Sequence, residues 1–584
     1  MRKTKIICTI GPASDKPEIL SALIESGMNA SRHNFSHGDH VEHGKRIELV
    51  KELRAKYNKP IAIVLDTKGP EIRTGKFEEG RESLTEGTEF TVYCGEEVLG
   101  NETQCSLSYA DLYKDVVPGD LILIADGLVG LEIKTIEGNK LHCIVKNSGK
   151  LGNNKNVNVP GVKVKLPAIT QKDISDLKFG AEIGVDMVAA SFVRKAADVL
   201  EIRKVLTENG GHDILIFSKI ENYEGIENID EIIKFSDGIM VARGDLGVEI
   251  PTEEVPVVQK MIIRKCNEAG KPVITATQML DSMIRNPRPT RAEASDVANA
   301  ILDGTDAIML SGETANGSYP VETVATMARI AERTEQTINY ESHLKKIRKN
   351  HTPNVPNAIS LATCNTAMEL NAAAIITATQ SGHTSRIISK YRPECPIIAV
   401  TPYEAVARRL ALNWGVFPIV AEKVETTDEL IEKSVNIVLE NGYVSKGDLV
   451  VIAAGIPVNY SGSTNMMKVH IVGDVLVKGK GAGKESGYGT AKVVANFKTA
   501  NESIEDGEIL VTKTLGVEYI ELLDKVSGII VEEALNPDVA IVCAAKEIPV
   551  ISNAVGATDI IKTGSFITME ARRGLVYSGR ANIM

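Results

Sequence analysis

Charged and hydroxyl side chains follow several short apolar runs of this sequence, at positions where strands would end. The second run ends in Arg32, with Asn34 and Ser36 close behind it, and the third ends in Asp66 and Thr67. A guanidinium can bind a phosphate through two parallel hydrogen bonds, and neutral or carboxylate oxygens can bind a cation. These two run ends therefore predict a site for a phosphorylated ligand and a cation.

Two carboxylates stand after later runs, where they could share one divalent cation. Lys219 and Glu221 alternate in an extended segment and so lie on one face of it. Asp245 follows the next run. Together, Glu221 and Asp245 could hold Mg²⁺ and leave positions for substrate oxygens. For either carboxylate taken alone, a surface salt bridge is the alternative.

Backbone and hydroxyl groups surround the second carboxylate. If Arg243 opens a helix, the free N–H groups there would bind a carboxylate or phosphate, and Gly244 would let that ligand approach the backbone closely. Thr277 adds a hydroxyl beside the proposed metal. Cations, carboxylates and hydroxyls in this combination suit a phosphorylated carboxylic acid on Mg²⁺. With a second phosphate-bearing substrate, the reaction they favour is phosphoryl transfer.

Eight short β-branched runs, most followed by a helical pattern, would have to position these groups. Such a series predicts an α/β fold, the closed (β/α)8 or TIM barrel, whose chemistry lies at the carboxyl ends of the strands. The predicted strands are residues 5–9, 28–32, 61–66, 186–191, 214–219, 238–243, 272–276 and 307–311.

The alternation of strand and helix breaks twice along the chain, which indicates several domains. We predict a barrel over residues 1–69 and 170–345, interrupted by an inserted β-barrel cap over residues 70–169. A separate α/β domain follows over residues 355–473. The glycine-rich run 478–484 is typical of a linker, and residues 485–584 form a smaller domain.

Composition indicates an ordinary globular protein. The chain has 584 residues, 43% of them hydrophobic, and a net charge of −11, which does not favour nonspecific binding to nucleic acid or anionic membranes. The apolar run after the basic N-terminus is too short for a signal segment, and no run is long enough to span a membrane. We expect a cytoplasmic protein.

Several motifs closely resemble those of the pyruvate kinase family, over about residues 1–473. The linker and tail resemble the longer bacillus-type form, whose extra C-terminal domain is similar to the phosphohistidine domain of phosphoenolpyruvate-utilising enzymes. The matching segments are residues 34–38, 66–74, 240–249, 271–283 and 286–293.

The resemblance implies transfer of a phosphoryl group from phosphoenolpyruvate to ADP, giving pyruvate and ATP as the last step of glycolysis. It implies that Arg32 binds substrate, that Lys219 stabilises the transferring phosphoryl group, and that Glu221 and Asp245 hold Mg²⁺ or Mn²⁺. By the same resemblance Gly244, Asp245 and Thr277 contact phosphoenolpyruvate. Thr277 would lie near the carbon that is protonated as pyruvate forms.

Further sites are implied by the resemblance alone. Glu71 is typical of K⁺-dependent members, and a monovalent cation could offset its charge. The family is commonly a homotetramer, and its effectors include sugar phosphates and AMP. The implied residues are Asn34, Ser36, Asp66 and Thr67 for K⁺; Arg73, Lys155, Asn34 and His37 for the nucleotide; and Thr379, Ser381, Gly382 and Thr384 for the effector.

Three departures and three alternatives qualify this interpretation. His33 replaces the usual Leu beside Arg32, the turn 153–156 is less rich in Lys than in the family, and Asp538 stands where related tails carry the phosphohistidine. A Mg²⁺-dependent aldolase or lyase would share the carboxylate pair, and a catalytically silent sensor would use only residues 355–473. The spacing of His33, His37, His40 and His43 could hold a metal.

Overall fold

A computed structural model describes residues 1–349, 353–424, 426–456, 464–473, 475–483 and 486–581 of the chain. The chain forms two compact units. The first comprises residues 1–352, 385–392 and 403–420, and the second comprises residues 353–384, 393–402 and 421–584.

The first unit is built on a closed barrel of eight parallel strands, which confirms the predicted fold class. Each strand pairs with its neighbours in sequence, and β8 closes the barrel against β1. The strands are β1 Lys5–Thr9, β2 Ala30–Asn34, β3 Ala62–Asp66, β4 Met187–Ala190, β5 Leu215–Ile220, β6 Gly238–Ala242, β7 Val273–Ala276 and β8 Ala307–Leu310.

Side chains that alternate along these strands pack either inside the barrel or against the surrounding helices. Ile7, Met240 and Met309 belong to the interior cluster, together with Ala411 and Leu412 of a short 3₁₀ turn. β2 runs two residues further than predicted because Asn34 pairs in register with Asp66 on β3. That register brings the ends of β2 and β3 together at one rim.

Helices follow the barrel strands, and several begin at side-chain caps. Thr170 and Thr290 each form a capping box with the acidic residue three positions later. The helices of this unit are Pro17–Glu25, His40–Lys56, Leu112–Asp115, Gln171–Ile183, Ala196–Glu208, Tyr223–Glu227, Ile229–Phe235, Arg243–Glu249, Val255–Ala269, Arg291–Asp303, Gly312–Ala315, Pro320–Glu335, Tyr340–Lys349 and Glu404–Arg409, with 3₁₀ turns at Thr252–Glu254, Asp281–Ile284 and Leu410–Leu412.

The segment between β3 and β4 is made mainly of strands around its own hydrophobic core. These strands form a seven-stranded sheet and a two-stranded sheet, whereas the sequence predicted one β-barrel. They are Ile72–Arg73, Arg81–Leu84, Glu89–Cys94, Gln104–Leu107, Leu121–Ile124, Val129–Glu137, Lys140–Val145, Gly149–Gly152 and Asn156–Asn158.

The second unit begins with α/β structure. Strand Ala374–Ala378 pairs in parallel with Ile397–Thr401 on one side and with Leu449–Gly455 on the other, and Thr464–Ile471 adds an antiparallel edge. Strand Val416–Val420 lies in a segment of the first unit. The helices are Val355–Glu369, His383–Lys390, whose first two residues lie in this unit and the rest in the first, and Thr427–Glu440.

The tail is built on one eight-stranded sheet with apolar clusters that include residues from several of its strands. In sheet order the strands are Val475–Lys478, Leu575–Ser578, Phe566–Glu570, Ser486–Val494, Ile509–Thr512, Gly528–Val531, Val550–Ser552 and Lys480–Ala482. The helices are Phe497–Ser503, Pro537–Ala545 and Ala557–Ile560, with a 3₁₀ turn at Val517–Leu522.

The glycine-rich run predicted to be a linker instead takes part in both outermost strands of this sheet, because Lys478 ends one of them and Lys480–Ala482 form the other. A Cβ added at Gly481 would overlap the carbonyl oxygen of Ala571, and one at Gly479 would overlap that of Ser552. The glycines are therefore required by close backbone packing and not by flexibility. Lys484, and residue 485 at which the tail domain is predicted to begin, lie outside the described residues.

None of the helices in the described part of the chain has the length and apolar character needed to cross a membrane.

Candidate active site

A chain of buried charges lies at the carboxyl-end rim of the barrel. Arg32 on β2 donates from Nε to Asp66 Oδ2 over 2.5 Å, and Lys219 on β5 donates from Nζ to Asp66 Oδ1 over 3.1 Å. Lys219 Nζ also lies 3.0 Å from Glu221 Oε1. Exposure of these four residues is 9% or less, so their charges interact in a poorly hydrated setting.

The alternation of positive and negative side chains determines which of these buried groups are ionised. Burial opposes ionisation of Asp66, but Arg32 and Lys219 outweigh it and hold the pKa of Asp66 below its usual value. Burial would lower the pKa of Lys219, but Asp66 and Glu221 raise it overall. Lys219 therefore stays an ammonium, and together with the guanidinium of Arg32 it places two positive charges beside one carboxylate, as a site for a phosphoryl group requires.

Glu221 and Asp245 form the predicted carboxylate pair. The two carboxyl groups lie within hydrogen-bonding reach of each other. Burial raises the pKa of Glu221 to about 7, against the opposing effect of Lys219, and burial likewise raises the pKa of Asp245. The two carboxyl groups repel each other when both are ionised. A divalent cation bound between their oxygens would relieve this repulsion, so the pair fits such an ion.

Gly244 and Thr277 meet next to this pair. Helix Arg243–Glu249 does begin at Arg243, and the N–H of Gly244 donates to Thr277 Oγ1 over 2.8 Å. Thr277 has φ +69° and Gln278 has φ +53°, both left-handed. The hydroxyl is thus held by local backbone geometry at the end of β7.

The four residues implied for K⁺ lie at the adjacent ends of β2 and β3. Asn34 is paired in register with Asp66, and Asn34 Oδ1 accepts the N–H of Ser36 over 3.1 Å. Thr67 Oγ1 accepts the N–H of Ser191 over 3.0 Å. Amide, hydroxyl and carboxylate oxygens are suitable donors for such an ion.

A cavity of about 500 Å³ lies between the barrel rim and the inserted sheets. Arg73 and Lys155 line it, and Asp245 connects it to the carboxylate pair. Its volume suits a ligand of nucleotide size, and its lining includes several Arg and Lys side chains beside carboxylates. Asn34 and His37 are not among its lining residues, so the geometry gives no support to their implied role toward the nucleotide.

Glu71 is already paired in this structure. Its Oε2 accepts from Nε of Arg73 over 2.6 Å and also lies 2.6 Å from Nη2 of the same guanidinium. The charge argument for K⁺ beside Glu71 therefore lacks support from the geometry, because an arginine offsets that carboxylate here.

Several contacting groups were missed by the sequence analysis. Ser191 Oγ accepts from Lys219 Nζ over 2.7 Å, Thr9 Oγ1 accepts from Arg32 over 2.9 Å, and the N–H of Phe192 donates to Glu221 Oε2 over 2.6 Å. Thr9 ends β1 and Ser191 directly follows β4. Inspecting all eight strand ends would have found both hydroxyls, whereas a backbone N–H carries no sequence signal.

The four clustered histidines have structural contacts. His43 stacks on Phe35 with ring centroids 4.1 Å apart and donates from Nε2 to the His37 carbonyl, and His40 Nε2 lies 2.7 Å from Asp176 Oδ1. His33 is fully buried, and burial lowers its pKa to about 3. No cluster of three or more metal-binding side chains occurs among the described residues.

The implied effector loop joins strand Ala374–Ala378 to the next helix. Gly382 has φ +78° and its N–H donates to Thr379 Oγ1 over 3.0 Å. Thr384 Oγ1 lies 2.8 Å from Thr464 Oγ1. In the tail, Asn536 caps the helix Pro537–Ala545, and Asp538 stands in its first turn, where no imidazole is present.

Three family models match successive parts of the chain. The model described as pyruvate kinase, barrel domain, matches residues 1–324. The pyruvate kinase alpha/beta domain matches residues 357–470, and the mobile domain of PEP-utilising enzymes matches residues 504–574.

Individual relatives are similar over long stretches. A pyruvate kinase of Clostridium acetobutylicum is 65% identical over 472 residues, 81% of this chain and 100% of that protein. One from Bacillus licheniformis is 53% identical over 587 residues, 100% of both chains. The crystal structure of a pyruvate kinase from Cryptosporidium parvum superposes with a TM-score of 0.77 at 44% identity, covering 81% of this chain and 96% of that one.

Proposed function

This chain belongs to the pyruvate kinase family and is an enzyme of that kind, and we propose that its barrel rim transfers the phosphoryl group of phosphoenolpyruvate to ADP. The products are pyruvate and ATP, and the reaction is the final step of glycolysis. The observation that carries this proposal is the buried chain Arg32–Asp66–Lys219–Glu221, which is joined through Asp245 to a cavity of nucleotide size.

Arg32 and Lys219 bind the phosphoryl group during its transfer. Both cations are held on Asp66, so they are positioned before substrate arrives and need no reorganisation as charge develops. Ser191 fixes the Lys219 ammonium from a third direction. Because phosphoryl transfer depends on positioning and charge stabilisation, this rigid arrangement is the main contribution of the chain.

Glu221 and Asp245 would hold Mg²⁺ or Mn²⁺. Such an ion supplies Lewis-acid stabilisation of phosphoryl and carboxylate oxygens when it is bound. The oxygen-only donor set and the raised pKa of both carboxyl groups support this assignment. Asn34, Ser36, Asp66 and Thr67 would hold K⁺ at the adjacent strand ends.

The nucleotide occupies the cavity under the inserted sheets, with its phosphates toward Arg73 and Lys155. ADP carries several negative charges, and Arg73 would exchange its present partner Glu71 for a phosphate oxygen. This exchange would free Glu71 for a monovalent cation, so the two assignments are compatible once the nucleotide is bound.

Gly244 and Thr277 contact the carboxyl end of phosphoenolpyruvate. After phosphoryl transfer, the enolate of pyruvate gains a proton at its terminal carbon, and the Thr277 hydroxyl would deliver it or orient a water that does. The contact of this hydroxyl with the N–H of Gly244, beside Asp245, supports the assignment. Arg32, Lys219 and Thr277 are accordingly the proposed catalytic residues.

Regulation and assembly are proposed from family membership. The loop containing Thr379, Ser381, Gly382 and Thr384 would bind the phosphate of a sugar phosphate or AMP, supported by its hydroxyls and by the left-handed Gly382 at the helix start. We also propose a cytoplasmic homotetramer. We further propose that the tail carries no phosphohistidine, because the carboxylate of Asp538 stands where related domains have the nucleophilic imidazole.

The test is pyruvate formation from phosphoenolpyruvate with Mg²⁺, with and without ADP, for the wild type and two lysine variants. Lys219→Met should abolish turnover. Lys5→Met is the matched control, because Lys5 is a buried barrel lysine that binds the Val416 carbonyl at the opposite end. ADP-independent turnover, or full activity in folded Lys219→Met, would contradict the proposal.

A further inference from the structure

The backbone that carries Thr277 adopts a conformation that needs an external support. Thr277 and Gln278 are consecutive non-glycine residues with φ of +69° and +53°. The left-handed region is unfavourable for side chains with a Cβ, and most of all for a β-branched residue such as threonine. Such strain persists only where surrounding contacts determine the conformation.

The side chain of Arg243 supplies these contacts. Its Nη2 donates to the Thr277 carbonyl over 2.7 Å, and its Nε donates toward the Ala276 carbonyl over 3.2 Å. These two carbonyls flank the φ torsion of Thr277. One rigid guanidinium that binds both therefore restrains that torsion directly.

Arg243 is itself anchored from the far side. Its Nη1 donates to Asp296 Oδ1 over 2.7 Å, and the side chain is only 11% exposed. Asp296 lies on helix Arg291–Asp303, which packs outside the barrel. The guanidinium thus connects a rigid helix to the strained turn.

The restrained torsion sets the direction of a hydroxyl. With this backbone, Thr277 Oγ1 accepts the N–H of Gly244 over 2.8 Å and donates to the Ala276 carbonyl oxygen over 2.6 Å. If φ relaxed to a right-handed value, both contacts would be lost and the hydroxyl would turn away from Gly244.

We propose that Arg243 is a positioning residue that holds the Thr277 hydroxyl against the terminal carbon of the enolate, and so controls its protonation to pyruvate. In that step the O–H bond of the donor breaks and a C–H bond forms from the electron pair of the enolate C=C bond. The enolate oxygen becomes the keto oxygen, and the donor oxygen regains its proton from water. This inference rests on the role given to Thr277 under the proposed function.

The test separates proton transfer from phosphoryl transfer in the intact enzyme. Enzyme-catalysed exchange of the pyruvate methyl protons with deuterated water is followed by NMR, with Mg²⁺, K⁺ and ATP present. The kcat and KM for phosphoenolpyruvate are measured beside it. For Arg243→Gln, exchange and kcat should fall by up to about 10²-fold, the size expected for a misplaced catalytic group, while KM changes less than about threefold.

Two further variants and a control keep the result interpretable. Arg243→Lys should restore part of the exchange, because an ammonium can bind one carbonyl but not both. Asp296→Asn should give a milder loss and serves if Arg243→Gln does not fold. The control is Arg203→Gln, since Arg203 also binds a backbone carbonyl, that of Ile214 just before β5, and an aspartate, but at the amino-terminal end of the barrel.

The outcomes distinguish the positioning role of Arg243 from the underlying assignment of Thr277 to the proton step. Wild-type exchange in Arg243→Gln, or the same loss of exchange in Arg203→Gln, overturns the positioning role. A companion Thr277→Val variant tests the underlying assignment, because wild-type exchange there would mean that Thr277 takes no part in the proton step. Loss in Thr277→Val without loss in Arg243→Gln would refute the role of Arg243 alone.

Discussion

Asp66 binds two cations of the site at once, so replacing its charge should disable catalysis without dismantling the barrel. In the wild type, Arg32 and Lys219 bind separate carboxylate oxygens of Asp66. In Asp66→Asn, both cations would have to share the single amide oxygen that remains. Lys219 keeps Glu221 at 3.0 Å, whereas Arg32 keeps the neutral hydroxyl of Thr9 and no second carboxylate within the described part of the chain. Arg32 is therefore the group that loses its orientation.

The size of the effect follows from the burial of these charges. Removing one partner from a buried ion pair is destabilising by about 3–5 kcal/mol, because the other charge is left uncompensated. If about 3 kcal/mol of this appears as lost stabilisation of the transition state, kcat/KM falls by roughly 10²-fold. The thermal midpoint should fall as well, since the same contacts stabilise the folded barrel.

The control is an aspartate that also binds two cationic side chains, at the other end of the barrel. Asp186 is buried and binds Arg408 at 2.7 Å and Arg54 at 3.4 Å, just before β4 begins. Steady-state rates and thermal midpoints are measured for Asp66→Asn and Asp186→Asn. Both midpoints should fall, but only Asp66→Asn should lose kcat/KM. Equal losses of activity in both variants, or none in Asp66→Asn, would refute the reasoning.

Three further results are expected. Turnover should require K⁺, and full activity in Na⁺ alone would contradict the monovalent site. In metal-free protein, the pKa of Glu221 is raised to about 7 from roughly 4.3 in an unfolded chain, so the folded state retains a proton that the unfolded chain loses. As the pH rises from about 5 to about 7, the thermal midpoint of the wild type should therefore decrease more than that of Glu221→Gln. Plots of thermal midpoint against pH that run parallel for the two proteins would count against this. Gly481→Ala should make the tail sensitive to limited proteolysis, whereas Gly516→Ala should not, because the atoms nearest to the added Cβ there belong to the exposed carboxyl end of Glu518, which can move aside; equal sensitivity would argue against close packing at Gly481.

The sequence predicted the barrel and most charged site residues because both leave local patterns. β-branched runs mark buried strands, and polar residues directly after them must lie at one rim once the strands close. Lys219, Glu221 and Asp245 were found in this way. Ser191 and Thr9 follow the same rule, since Thr9 ends β1 and Ser191 directly follows β4, although the sequence prediction did not include them.

Other features had no local signal. The contact between Arg243 and Thr277 joins residues 34 positions apart, and the left-handed φ of Thr277 is set by that packing. Glu71 and Arg73 pair across a two-residue spacing that also fits separate ligands. The glycines near residue 480 have the composition of a linker, and only the surrounding backbone distinguishes close packing from flexibility.

The position of that glycine-rich stretch has a practical consequence for anyone shortening this chain. Val475–Lys478 and Lys480–Ala482 are nearly consecutive, yet they pair with Leu575–Ser578 at one border of the tail sheet and with Val550–Ser552 at the other. An expression boundary placed at residue 485 would separate the tail from both bordering strands. The fragment would then present two rows of unpaired backbone groups, a form prone to aggregation. A boundary before residue 475 keeps the module whole.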